Sequence, residues 1–146
     1  MYANQRVSEG LALIGTIDPV SQAAGTVTTS WLDQSQYLVL MALVAIGAFG
    51  ASATVDAKLQ QATDSAGTGA KDVTGKAVTQ LVAGGGNNRQ VLINMKEADL
   101  DTEGGFRYVR LSITVGTAAT LVFGAVFGGI PRFMPVTHQA GVAQVV

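Results

Sequence analysis

The clearest pattern in the chain is an alternation of apolar and polar positions with a period of two. Across residues 107–115, Val109, Leu111, Ile113 and Val115 share one parity, while Tyr108, Arg110, Ser112 and Thr114 share the other. Successive side chains of a strand point to opposite faces, so the first set predicts a core face and the second an outer one. The same alternation sets Ala53, Val55, Ala57 and Leu59 against Thr54, Asp56, Lys58 and Gln60. Residues 38–46 are instead apolar at nearly every position, the pattern of a strand covered on both faces. The expected covers are the opposing sheet on one side and a neighbouring subunit on the other. The uncharged run 37–55 is long enough to cross a bilayer as a helix. Gly47, Gly50, Ser52 and Thr54 crowd its second half, however, and alternation begins at Ala53, so it parses as two strands about a turn at residues 47–50.

Turn signals recur at short intervals: Asp18-Pro19, Ala24-Gly25, Asp33-Gln34-Ser35, Gly47, residues 65–69, Gly84-Gly85-Gly86-Asn87-Asn88, Glu103-Gly104-Gly105, Gly128-Gly129 and Pro131. They delimit eight expected strands at 11–16, 26–32, 37–46, 53–62, 77–82, 90–95, 107–115 and 118–127. A tight hairpin at residues 115–118 joins the last two, and Gly124 and Gly128 mark a bulge or a close backbone approach. Residues 96–101 have room for a single helical turn, and the Gly/Ser/Thr-rich stretch 63–75 reads as an exposed loop or hairpin tip. The predicted fold is all-β: a single-domain, two-sheet antiparallel sandwich, jelly-roll-like, with extended N- and C-terminal arms. An immunoglobulin-like sandwich is the near competitor, without the Cys-Trp-Cys signature. The expected division is an N-terminal arm at 1–10, the sandwich at 11–130 and a C-terminal arm at 131–146. The arms are assigned from their lack of periodicity and the apolar residues that remain in them.

Composition turns this sandwich into a subunit. The chain has 146 residues, of which 48% are hydrophobic and only 13% charged, with a formal net charge of -1. The charged share is about half the ~25% usual for soluble domains, which leaves little polar surface to keep copies apart. Nine basic residues spread along the chain give no electrostatic footprint for nucleic acid, so no direct nucleic-acid partner and no membrane partner is expected. No apolar h-region follows the first ten residues, so a secretory signal is not expected there.

Candidate chemistry is sparse. There is no cysteine and a single histidine, His138, which excludes Cys nucleophiles and His/Cys zinc sites. His138 follows two prolines, away from any rigid concave scaffold, and reads as an interface or surface residue rather than a general base. No serine stands in a Gly-x-Ser-x-Gly elbow. Glu97, Asp99, Asp101 and Glu103 form one acidic cluster whose oxygens suit calcium in type, but the spacing is not that of an EF-hand. The preferred reading is a solvated turn paired with Arg107 or Lys96. Gly84-Gly85-Gly86 lacks the Lys-Ser/Thr of a phosphate loop and reads as a hairpin tip. No enzyme activity, catalytic residue, metal or cofactor is therefore expected. Arg110 and Tyr108 share the outer face of the best-patterned strand, and Arg107, of core parity, is expected to bend out to solvent. Arg and Tyr are enriched at interface hot spots, so these residues suit a protein contact. For Trp31, core packing is the default and an interface anchor the alternative.

The stretch from Ala53-Thr54-Val55-Asp56-Ala57-Lys58-Leu59 through Gly67-Thr68-Gly69-Ala70-Lys71-Asp72 to Ala77, followed by Phe106-Arg107-Tyr108-Val109-Arg110-Leu111 and Thr114-Val115-Gly116, carries a resemblance. It resembles a family of small virion proteins of tailed bacteriophages, over residues 25–135. The resemblance implies a structural virion protein, most like a capsid decoration (cement) protein that binds the major capsid protein on the outer capsid surface. The alternatives are a head-tail connector or tail component, and a host-surface carbohydrate-binding module. The last needs exposed aromatic platforms, for which only Trp31, Tyr2, Tyr37 and Tyr108 are available. Self-association as a dimer or trimer is also expected, because symmetric contacts cover apolar faces. The candidate interface residues are Trp31, Tyr108 and Arg110 on the sandwich, and Arg132, Phe133, Met134, Val142, Val145 and Val146 on the C-terminal arm.

Overall fold

The period-two stretches fold as strands, and their apolar parity builds the core. The computed structural model describes residues 3–146. Among them lie β1 (Leu11–Gln22), β2 (Gly25–Thr28), β3 (Leu32–Asp33), β4 (Tyr37–Ile46), β5 (Thr54–Ala62), β6 (Lys71–Ala77), β7 (Leu81–Val82), β8 (Arg89–Lys96), β9 (Tyr108–Gly116) and β10 (Thr120–Pro131). Helical structure is limited to one turn at Val7–Gly10 and 3-10 turns at Gln34–Gln36, Ala83–Gly85 and Glu97–Asp99. No helix among the described residues is long and apolar enough to cross a membrane, and the 37–55 run is divided between β4 and β5.

The strands make two antiparallel sheets, ordered β1-β10-β4-β8 and β2-β9-β5-β6, with β3 added to β9 and β7 to β5. Pairing is nested along the chain: β1 with β10, β2 with β9, β4 with β8, β5 with β6. That arrangement, one long ribbon folded over on itself into two sheets, is a jelly roll, as the sequence predicts. Among the described strands, only the β2–β3, β5–β6 and β6–β7 connections stay within one sheet. The expected hairpin at 115–118 and the turn at 47–50 both cross from one sheet to the other. The reason is valence: β9 is flanked by β2 and β5, and β10 by β1 and β4, so neither has a free edge to offer the other.

Several boundaries differ from expectation, and the turn expected at Gly128-Gly129 and Pro131 is instead the end of β10, paired with β4. Asp18-Pro19 does not end β1 but sits in a register shift between Ile17 and Val20, where a bulge tolerates a residue without an N–H. The 26–32 strand is broken around Thr29, Ser30 and Trp31 into β2 and β3. The loop at 63–75 is shorter than expected, because Lys71–Ala77 pairs with β5 as a polar edge strand in which only Val73 is buried, and the predicted strand at 77–82 shrinks to Leu81–Val82.

Leu40, Ala42, Val44 and Ile46 from β4 pack across the sandwich against Val55, Leu59, Leu111 and Ile113, all nearly inaccessible to water. Each such large side chain contributes about 1.5–3 kcal/mol from burial. The close approaches predicted at Gly124 and Gly128 are present on β10. A Cβ on Gly124 would lie 2.8 Å from Leu111 Cδ2, and one on Gly128 would lie 2.5 Å from the Tyr37 ring.

Candidate functional site

The predicted interface residues fall into two groups on different sheets. Trp31, Arg110 and Tyr108 come together on the outer face of β2-β9-β5-β6. The Arg110 guanidinium lies 4.5 Å from the Trp31 ring centroid, and its Nε donates to Gln60 Oε1 at 2.9 Å. Trp31 is half-buried outside the core, so the default of core packing is corrected. The break between β2 and β3 places it on the surface, where the 63–70 hairpin tip closes over it. A Cβ on Gly67 would meet Trp31 Nε1 at 2.5 Å. Arg107 bends out as expected and pairs with Asp33 at 2.6 Å, beside the Tyr108 ring. The rest of this face is polar and internally matched: Thr26 to Thr114 at 2.8 Å, and Lys58 to Asp72 at 2.9 Å. The Lys58 ammonium holds the Asp72 carboxyl below its ordinary value. A face whose polar groups satisfy one another is at ease in water.

The second group follows β10. Arg132 donates through Nη2 to both oxygens of Glu97 at 3.0 and 2.9 Å, and through Nε to the Ser35 carbonyl at 2.5 Å. Beyond this root, Phe133 and Met134 are 77% and 52% exposed. The chain then runs beside β1, the edge strand of its sheet. Val136 N donates to the Glu9 carbonyl at 3.2 Å, the Leu13 amide donates to His138 Nδ1 at 3.0 Å, and Gln139 N donates to the Leu13 carbonyl at 2.8 Å. The backbone groups that an edge strand leaves open are thereby met at Leu13 without a new strand. Val142 is half-buried, while Val145 and Val146 are exposed, Val146 at 97%. Met1 and Tyr2, at the start of the expected N-terminal arm, lie outside the described residues.

The acidic cluster is dispersed rather than convergent. Glu97 faces Arg132, Asp99 faces Lys76 at 3.1 Å, and Asp101 faces Lys71 at 2.6 Å. The Lys96 amide, then Lys76, hold Asp99 below its ordinary value, and Lys71 with the Gly104 amide does the same for Asp101. The expected partners Arg107 and Lys96 are corrected: Arg107 is taken by Asp33, and Lys96 makes no close ion pair with the cluster, meeting Asp99 through its backbone amide and through the longer-range attraction of its ammonium. Among the described residues no group of three or more His, Cys, Asp or Glu side chains is placed to hold a metal ion.

The largest feature is the outer face of β1-β10-β4-β8. Because Leu40, Ala42, Val44 and Ile46 point inward, Val39, Met41, Leu43 and Ala45 point outward, and the registers set their neighbours in rows. One row reads Leu11, Gly129, Val39, Lys96, and the next Leu13, Phe127, Met41, Asn94. The third is Thr16, Ala125, Leu43, Leu92, and the last is Phe123, Ala45, Gln90 with Asp18 at the β1 end. Leu92 is 57% exposed, and shallow grooves of about 530 and about 440 Å³ flank the middle of the face. The doubly apolar stretch 38–46 signalled this surface in the sequence. The contributions of β10 and β8 were missed, because Gly124, Gly128 and Gly129 blur the parity of β10 and Leu92 shares its face of β8 with the polar Gln90 and Asn94.

No family model and no curated protein matches the chain. Among solved structures it is similar to a chain of the Cowpea Mosaic Virus empty virus-like particle, with 9% identity over 92% of this chain and 86% of that one, at a TM-score of 0.46. It is likewise similar to a chain of Broad Bean Stain Virus, with 9% identity over 100% and 97%, at a TM-score of 0.47. A chain of the Cowpea mosaic virus top component gives 9% identity over 93% and 91%, also at 0.47. At these identities and scores the likeness carries no functional weight.

Proposed function

We propose that this chain is a structural protein of a tailed-phage virion that decorates the outer capsid surface and stabilises it by binding the major capsid protein. The observation that carries the reading is the segment after β10. It is rooted on the body at Arg132 and again at His138 and Gln139, yet presents Phe133, Met134, Val145 and Val146 to solvent. Apolar side chains held out on an anchored segment cost little extra ordering when they dock, which is how a short arm gains affinity. A clamp across capsomer boundaries resists their separation under the outward pressure of packaged DNA. The sequence resemblance to small phage virion proteins supports the same role.

The test is quantitative. Mass spectrometry of purified virions is expected to find about one copy per major capsid subunit, or a simple fraction of it. Removing residues 142–146, which lie beyond the His138 and Gln139 anchors, is expected to abolish binding to expanded capsids while the circular dichroism melt stays unchanged. A dozen or fewer copies per particle overturns the reading in favour of a neck or tail component. Full decoration by the truncated chain overturns the assignment of the arm.

A further inference from the structure

We infer that the outer face of β1-β10-β4-β8 is the contact between two copies of this chain, related by a two-fold axis. This inference does not rest on the virion reading. Three observations carry it. First, the two outer faces of the sandwich are unlike: that of β2-β9-β5-β6 is covered with matched polar groups, whereas this one presents rows of Leu, Val, Met and Phe. Second, its size is that of an interface. Four strands about 4.8 Å apart and four rows about 6.8 Å apart give about 500 Å² in plan, so two copies together cover about 1,000 Å². That reaches the ~1,000 Å² from which specific contacts begin, and matches the apolar patches that mark interaction sites.

Third, the strands of this face carry two charges outward, of opposite sign and at opposite corners. Lys96 ends β8 in the first row and makes no ion pair among the described residues, its neighbour Asp99 being taken by Lys76. Asp18 lies in the β1 bulge between Ile17 and Val20, level with the fourth row, and is likewise without an ion pair among the described residues. Its Oδ1 accepts from Thr16 Oγ1 at 3.0 Å, and Thr16 belongs to the outward row, which fixes the carboxylate on this side. In an isologous contact residue i meets j and j meets i. A two-fold axis in the plane of the contact, perpendicular to the Lys96–Asp18 diagonal, lays Lys96 of each copy on Asp18 of the other. The strands of the two sheets then cross steeply, as in orthogonal sheet packing.

The experiment is sedimentation velocity on the full chain between 1 and 100 μM. The expected result is a dimer. Asp18→Lys and Lys96→Asp, each at an exposed position, are expected to raise the dissociation constant about 10-fold or more through like-charge contacts, and the double swap to restore it to within about 3-fold. Leu92→Glu is expected to give monomer with an unchanged melting temperature. A monomer at 100 μM overturns the inference and leaves the face to a partner of another kind. A trimer or larger ring overturns it as well, as does a dimer indifferent to both single swaps or one that the double swap fails to restore.

Discussion

At the scale of single residues, the fold depends on places where a side chain is absent. Gly128 lets the backbone of β10 lie against the Tyr37 ring, and any Cβ there would lie 2.5 Å from that ring. The ring is itself buried, and the atoms in the way are Cγ and both Cδ, the near end of the ring rather than a flexible tip. Overpacking of this kind costs about 1–3 kcal/mol. Gly128→Ala is therefore expected to lower the midpoint of chemical denaturation without changing the slope. Gly75→Ala, with no heavy atom near the added carbon, serves as a control only for space, because its φ of +74° adds strain of its own. The need for glycine at 124 and 128 was legible in the sequence as an interruption of an apolar strand. Its cause was not, since the Tyr37 ring comes from a strand far away in the chain and Leu111 reaches Gly124 only because β9 lies in the opposing sheet.

At the scale of elements, what the sequence showed well were strands with one dry and one wet face. β4 and β9 are found where alternation or continuous apolarity places them, within one residue of the expected limits. β6 was missed for the opposite reason: Lys71, Asp72, Thr74 and Lys76 leave Val73 as its single buried residue, and an edge strand held mainly by backbone pairing has no apolar period to read. The pairing of sheets was also illegible, because a short loop looks the same whether it turns a hairpin or crosses a sandwich. β1 illustrates how an edge is managed. His138 and Gln139 engage both backbone groups of Leu13, and the Gln139 side chain reaches Thr16 at 3.2 Å. His138→Ala is expected to speed hydrogen exchange at the Leu13 amide at least 10-fold, with the amides of β9 unaffected. Equal protection in the variant would show that the segment is not what covers this edge.

At the scale of the whole molecule, charge is used locally rather than globally. Five aspartates are held below their ordinary carboxyl value. Burial acts against this at Asp33, but hydrogen bonds from Ser35 and Arg107 outweigh it. Asp72, Asp99 and Asp101 owe it to Lys58, to the Lys96 amide and to Lys71 respectively, and Asp64 to Thr68 in the hairpin tip. A lowered folded value means that the unfolded chain binds more protons in acid, so stability rises with pH across this range. It is fully present above the unfolded value of about 4 and is lost as pH falls through the lower folded values. The melting temperature is expected to be flat from pH 8 to 5 and to fall steadily from pH 4 to 2. A curve level down to pH 2.5 would contradict these pairings.

The nested order of pairing has a consequence for how the protein comes into being on the ribosome. β10 follows every other described strand in the chain, yet it sits between β1 and β4, and without it β1, which precedes them all, has no strand partner. Early in translation only β5 can pair locally, with β6 and then β7, and the pairs of β4 with β8, β2 with β9 and β1 with β10 must wait for their later members to emerge. The sheet with the apolar outer face is thus incomplete until β10 has emerged, so its four rows are aligned only when the strand between β1 and β4 is in place. Closing that sheet and forming its outer face are one event.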